Sequence, residues 1–477
     1  MKSIIYDLKN TDKEKLLKET LQKAHENQKL CNSFVTIIDD VKLNKETDSP
    51  LSNIPYVLKD NYSTKGILTT GSSNTLKDYI PPYNSTVYEK LCNAGAIMIA
   101  KSVMDEFGMG GTGLTGHTGI VHNPWNTDLI AGGSSAGSAV SVAAGVVPFS
   151  IGSDTGDSVR KPAAHCGIIG YKPTYGMISR WGLLPFASSL DHVGIFARTV
   201  KDIAIVADVL KGKDEKDMTT WDSSNIHLEK HLEDNVKGKK LFYFKELANI
   251  NSYKEPSDDL INVLNTFNET IKTIKDLGIE VVEESFPKEL LKALHSAYTC
   301  ISSAEATSNM SNLTGIIFGP REEGNIKEMI IKHRTKNFSS LIKRRFIIGS
   351  YVLQRENQEK YFMNAQRVRN RIVRLMKELF KEYDGLILPC SSSHAPRIDG
   401  TTDVIREDLE ALENHMAIGN FGGFPSITIP NGTLNDMPIG INITGNIYDD
   451  EKILSIAAHI SDAMPYENQI AGGIKWV

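Results

Sequence analysis

Apolar positions along this chain follow two rhythms, one helical and one strand-like. Residues 11–30 set Leu16, Leu17 and Leu21 among charged neighbours, a spacing that predicts an amphipathic helix. Residues 40–53 are polar and predict a loop. From 54 to 101 short apolar runs, the first being Ile54-Pro55-Tyr56-Val57-Leu58, alternate with turn residues. Ser138 to Val147 is rich in Ala, Val and Gly and predicts a fully buried helix whose small side chains allow close approach, with Pro148 ending it. Phe149-Ser150-Ile151 predicts a short strand. Residues 340–382 predict one or two long basic helices, and 385–389 and 426–430 predict buried strands. Helical patterns alternating with short apolar strands indicate the α/β class. No internal repeat or low-complexity tail interrupts the pattern.

Composition narrows the picture. A chain of 477 residues can bury a large core, and length alone would allow two or three domains. Residues 212–240 are charged, lack apolar periodicity and predict a surface excursion. The net charge of −5, from 53 basic and 58 acidic residues, is not the basic excess of a nucleic-acid-binding domain. The five cysteines are scattered without Cys-x-x-Cys spacing, which argues against a zinc site or a disulfide framework. Reduced thiols and the lack of a signal peptide predict a cytoplasmic location. No run of about 18 apolar residues predicts a membrane span.

Candidate chemistry gathers at Lys59, Ser134 and Ser158. Lys59 closes the first apolar run, Ser134 lies in Gly132-Gly133-Ser134-Ser135-Ala136-Gly137-Ser138, and Ser158 lies in Gly152-Ser153-Asp154-Thr155-Gly156-Asp157-Ser158. A serine hydroxyl is a weak nucleophile and needs a base within hydrogen-bond reach. The nearest histidines in sequence, His122 and His165, adjoin neither serine, which favours a Ser-Lys device over Ser-His-Asp. The same glycines also suit structural turns, and Lys59 taken alone also suits a surface position after a strand. A phosphate cradle fits poorly. Neither segment ends in Gly-Lys-Ser/Thr, and Gly108-Met109-Gly110-Gly111-Thr112-Gly113 lacks a clear amphipathic helix after it. From these residues alone, a serine hydrolase-like site and a set of structural turns both stay open.

Longer motifs carry a resemblance. IPYVLKDN around Lys59, MDEFGMGGTG from Met104, NPWN from Asn123, GGSSAGS around Ser134, GSDTGDSVRKPAAHCG around Ser158 and GYKPTYGMISRWGLLPFASSLDHVG from Gly170 resemble the signature region of the amidase signature family. SSAEATSN from Ser302, KRRFIIGSY from Lys343 and GNFGGFPSITIP from Gly419 extend the likeness, while the first fifty residues and 210–290 match weakly. The resemblance implies a single α/β domain over 1–477, with a signature core at about 54–198 and a mixed central β-sheet covered by helices on both faces. It implies Lys59 as base, Ser134 as relay in a cis peptide, and Ser158 as nucleophile. Backbone N–H groups of Thr155, Gly156, Asp157 and Ser158 would form the oxyanion hole. Arg345 would bind a substrate carboxylate and Glu413 its ammonium, with Asn414 in that place if the register slips by one. Phe318 stands where the family has a pocket tyrosine. Asp157 replaces a family glycine, and its carboxylate is expected to point outward and pair with Arg160 or Lys161.

Within the family, the run SRWGLLPFASSLD from Ser179 is similar to glutaminase subunits of tRNA-dependent amidotransferases. That likeness implies glutamine hydrolysis supplying ammonia to amidate Glu-tRNA(Gln), with Asp-tRNA(Asn) a second candidate. The implied partners are the amidotransferase B and C subunits, with the misacylated tRNA held mainly by the former. No cofactor or metal is expected in this chain, while ATP and Mg would be used by a partner. Two other functions fit the same features: a free-standing amidase acting on a small amide, and a catalytically silent scaffold, the latter motivated by Asp157.

Overall fold

Eleven strands build one mixed sheet in a computed structural model that describes residues 1–400 and 406–471. They are β1 (Phe34–Ile37), β2 (Pro55–Lys59), β3 (Ile97–Ser102), β4 (Phe149–Asp154), β5 (Ile169–Lys172), β6 (His192–Ala197), β7 (Lys240–Phe244), β8 (Glu280–Glu284), β9 (Gly385–Pro389), β10 (Ser426–Leu434) and β11 (Met437–Thr444). Their spatial order is β1-β3-β2-β4-β6-β5-β10-β11-β9-β7-β8. The pairs β3/β2, β2/β4, β9/β7 and β7/β8 are parallel, and the other neighbours are antiparallel.

Every residue of β2, β3, β4, β5, β6 and β9 is buried, so both faces of the sheet are covered. The period-2 alternation of strand side chains divides them between two cores. Tyr56, Leu58 and Met98 enter one core, while Val57, Ile97 and Ile99 enter the other. The α/β class and the two-sided sheet therefore stand as the sequence implies.

Most predicted elements form, with boundary shifts that have local causes. Asp12 caps the helix Lys13–Cys31 by accepting from the N–H groups of Glu14 and Lys15. The buried helix spans Ala136–Ala143 and stops at Ala144, ahead of Gly145 at φ +69°. All eight of its residues are buried. The strand predicted at 149–151 runs on to Asp154, and the one at 426–430 runs on to Leu434. Pro430 cannot donate to a ladder, and the register with β11 shifts between Pro430 and Gly432, so the strand survives its proline through a bulge. The basic segment becomes the helices Ser340–Val352 and Asn364–Leu379, joined by short helical turns. The predicted surface excursion holds no helix or strand from 213 to 239, yet it is fastened down, because Leu228, Leu232 and Val236 are buried in the main core. Among the described residues, no helix is long and apolar enough to cross a membrane.

Because β2 and β4 are parallel neighbours, with Leu58 opposite Ile151, their C-terminal ends emerge together. Lys59 and the turn after Asp154 therefore reach the same edge of the sheet, where open α/β sheets generally place their ligands.

Candidate active site

Lys59 is the last residue of β2 and is completely buried. Its Nζ lies 2.8 Å from Ser134 Oγ, 2.8 Å from Ser135 Oγ, 2.9 Å from Ser153 Oγ and 3.3 Å from the Ser153 carbonyl. Burial pulls its pKa down to about 7, although the carboxylates of Asp105, Asp154 and Asp191 favour the charged form. Relative to water, the site disfavours the ammonium by about 5 kcal/mol.

The hydroxyl protons around Lys59 can be assigned from their partners. Ser135 Oγ donates to the Ser153 carbonyl at 3.0 Å, so toward Lys59 it can only accept. Ser153 Oγ accepts from Asn61 Nδ2 at 3.0 Å and from Lys59. A neutral amine has two N–H bonds and one lone pair. If the N–H bonds go to Ser135 and Ser153, the lone pair remains for the proton of Ser134.

Ser134 belongs to a loop held from both sides. The Gly133–Ser134 peptide is cis. Asp105 accepts from the N–H groups of Thr112, Gly113 and Thr115, and its own N–H donates to the Ser134 carbonyl at 3.1 Å. A Cβ at Gly133 would overlap Asp105 Oδ2, so only glycine fits there.

Ser158 sits in the turn between β4 and the short helix Arg160–Cys166. Its carbonyl accepts from the Ser135 N–H at 3.2 Å, which brings the two serine segments side by side. Ser158 Oγ makes no direct hydrogen bond to Ser134 or Lys59 among the described residues. Arg160 braces the turn from within. Its guanidinium reaches both Asp154 oxygens at 2.9 and 3.1 Å, the Gly156 carbonyl at 2.7 Å and Asn420 Oδ1 at 2.7 Å. This pairing holds the Asp154 carboxyl well below the usual range despite its burial. Asp191 fixes the other strand of the turn by accepting from Thr155 Oγ1 at 2.6 Å. Outside the regular elements, the N–H groups of Gly156, Asp157 and Ser158 donate no hydrogen bond to a described residue, so they are free to meet a developing oxyanion.

The predicted substrate residues separate. Arg345, half-buried on the helix Ser340–Val352, donates to Ser302 Oγ at 3.2 Å and lies 5.7 Å from the Phe186 ring centre and 6.0 Å from that of Tyr298. Tyr298 covers Gly156, where a Cβ would come within 2.9 Å of its ring. Glu413 is already engaged: it pairs with Lys161 Nζ at 2.8 Å and accepts from the backbone N–H and hydroxyl of Ser392, both at 2.7 Å. Asn414 Oδ1 meets His295 Nδ1 at 3.0 Å. Phe318 packs edge-on against Tyr79 at 5.9 Å, so the aromatic ring over the Ser158 turn is that of Tyr298.

Asp157 departs from expectation. Both cations expected to hold it are committed, Arg160 to Asp154 and Lys161 to Glu413. Among the described residues its carboxylate makes no ion pair, and it is half-buried rather than turned out to solvent. Burial lifts its pKa to about 6 against the pull of Lys161.

Reasoning from sequence missed Ser135, Ser153, Asn61 and Tyr298. The first three lie inside or beside the motifs that carry Lys59 and the serines, so adjacency was an available signal. Tyr298 lies far along the chain in the helix Leu294–Asn309 and offers no local signal. Two surface pockets, one lined by Tyr243, Asn249 and Asn265 and one by Asp234, Tyr448 and Lys452, contain none of these residues.

Comparisons with known proteins agree with one another. Residues 15–454 match the family model described as Amidase. The chain is 43% identical over 431 residues to the A subunit of glutamyl-tRNA(Gln) amidotransferase from Mycoplasma pneumoniae, covering 88% of each chain. It is 37% identical over 473 residues to the protein of the same name from Prochlorococcus marinus, covering 95% of each. The crystal structure of the A subunit of glutamyl-tRNA(Gln) amidotransferase from Thermotoga maritima superposes with a TM-score of 0.80 at 32% identity, over 95% of this chain and 92% of that one.

Proposed function

This chain belongs to the Amidase family, and from that premise we propose that it is the glutaminase subunit of a tRNA-dependent amidotransferase. The observation that carries the reading is the buried amine of Lys59, 2.8 Å from Ser134 Oγ and with its pKa drawn down to about 7. A lysine poised near neutrality can serve as a base at physiological pH. Neutral Lys59 takes the proton of Ser134, and Ser134 takes that of Ser158 as the latter attacks the side-chain amide of glutamine. The relay needs a Ser134–Ser158 hydrogen bond, a contact that in catalytic sites is often long before substrate binds. The N–H groups of Thr155 to Ser158 stabilise the tetrahedral oxyanion. The relay returns the proton to the leaving nitrogen, ammonia departs, and water then cleaves the acyl-serine to release glutamate.

The relatives' shared name makes each of them the A subunit of an amidotransferase, which supports B and C subunits as partners of this chain. ATP and Mg are then used by a partner that holds the misacylated tRNA. The role of this chain ends at ammonia, whether the acceptor is Glu-tRNA(Gln) or also Asp-tRNA(Asn).

The test is glutamine hydrolysis by the purified protein with its co-purifying subunits. Ser158→Ala is expected to abolish ammonia release while the far-ultraviolet circular dichroism and melting temperature stay within the parent's range. Normal turnover by Ser158→Ala would refute the nucleophile. An inert parent would favour the silent-scaffold function.

A further inference from the structure

Two ion pairs brace the Ser158 turn. Arg160 is matched to Asp154 at 2.9 Å, and Lys161 to Glu413 at 2.8 Å. Lys161 also donates to the Cys390 carbonyl, and Glu413 has both oxygens occupied by Lys161 and Ser392. The carboxylate of Asp157 and the guanidinium of Arg345 join no ion pair among the described residues; the Asp191 carboxylate joins none either, but it is satisfied by Thr155 Oγ1 and by the N–H groups of Phe186 and Ala187. Asp157 and Arg345 lie beside the same ring. Tyr298 covers Gly156, the neighbour of Asp157, and its ring centre is 6.0 Å from the Arg345 guanidinium.

Among the described residues, a carboxylate and a guanidinium outside any ion pair, both beside Tyr298, match the two charges of an α-amino acid. We propose that Asp157 is the carboxylate that receives the α-ammonium of the substrate, opposite Arg345 at its α-carboxylate, and that Glu413 serves instead to neutralise Lys161. This deepens the glutaminase reading and rests on it. Three further observations support it. A half-buried carboxylate without a cation is costly to keep, and a ligand ammonium would compensate that cost. Burial lifts its pKa to about 6, and a ligand ammonium beside it would favour the charged form again. The groups facing it are Lys161, Arg160, Asp154, Glu413 and Tyr298, and both cations among them are committed elsewhere.

The experiment compares glutamine with glutaramate, which carries the same amide and carboxylate-bearing chain but no α-ammonium. Both are assayed as substrates of the parent, Asp157→Asn and Glu413→Gln, in the full chain with its co-purifying subunits. Asp157→Asn is expected to raise KM for glutamine about 10- to 100-fold, the range for a lost hydrogen bond to a charged group, and to raise KM for glutaramate at least about fivefold less than that. Glu413→Gln should affect both substrates alike, because it frees Lys161 without removing an ammonium contact. Equal losses for both substrates in Asp157→Asn would overturn the proposal while leaving the glutaminase reading intact. So would no loss at all, or a glutamine-selective loss in Glu413→Gln alone. A parent that turns over no glutamine removes the shared premise and overturns both.

Discussion

Lys59 does at the residue scale what its position in a strand forces on it. Ending a wholly buried strand, its side chain has no surface in contact with solvent, and its site disfavours the ammonium. The folded pKa of about 7 lies below the ordinary value of 10.5, so the neutral amine grows as pH rises through 7. We expect kcat for glutamine to climb with pH, falling about tenfold per unit well below 7 and levelling off above it. Lys59→Arg keeps the charge but cannot deprotonate, so it should lose turnover at every pH, and a variant with near-parental kcat would remove Lys59 as the base. Linkage has the same sign. Between about 7 and 10.5 the unfolded chain binds a proton that the folded chain does not, so this residue makes stability rise with pH across that window.

At the scale of elements, the turn between β4 and the helix Arg160–Cys166 carries the proposed nucleophile, and it is braced from a distance. Arg160 is fully buried and bonds to the Met416 carbonyl and to Asn420, 260 positions away in sequence. Arg160→Met would leave the Asp154 carboxylate buried without its partner, at a cost of about 3–5 kcal/mol. Urea denaturation is expected to show that loss, along with weakened glutamine hydrolysis, and a change below about 1 kcal/mol would deny the pair this role. The same turn shows what could be read from the sequence. Lys59, Ser134 and Ser158 are legible because each sits in a long local motif, and the buried helix is legible because Ala, Gly and Val cluster without a break. What Asp157 faces is not legible, because Arg160 and Lys161 are near neighbours whose charges are taken by Asp154 and Glu413, one in the preceding strand and the other 252 positions away. Tyr298 is hidden for a similar reason: nothing near it in sequence marks it as the cover of Gly156. Strand β10 reads short because a proline marks a strand end in a sequence, while in the sheet a bulge absorbs it.

At the scale of the whole molecule, the proposed nucleophile and its base lie inside the fold. Lys59 and Ser134 are fully buried and Ser158 is 3% exposed, so the centre is enclosed by the fold rather than laid open on its surface. In the division of labour proposed above, glutamine hydrolysis and tRNA amidation occupy different sites, with ammonia the species that passes between them. That separation can be measured in the assembled enzyme. Given ATP, Mg and Glu-tRNA(Gln), a complex carrying Ser158→Ala should form no Gln-tRNA(Gln) from glutamine. With an ammonium salt instead, it should form the product at close to the parent's rate, because the amidating centre on the partner is untouched. The paired assay distinguishes a damaged assembly from a missing nucleophile, since only the former loses both reactions. Loss of the ammonium-dependent reaction in a Ser158→Ala complex of parental stability would place part of the amidation chemistry in this chain and end the division of labour proposed for it.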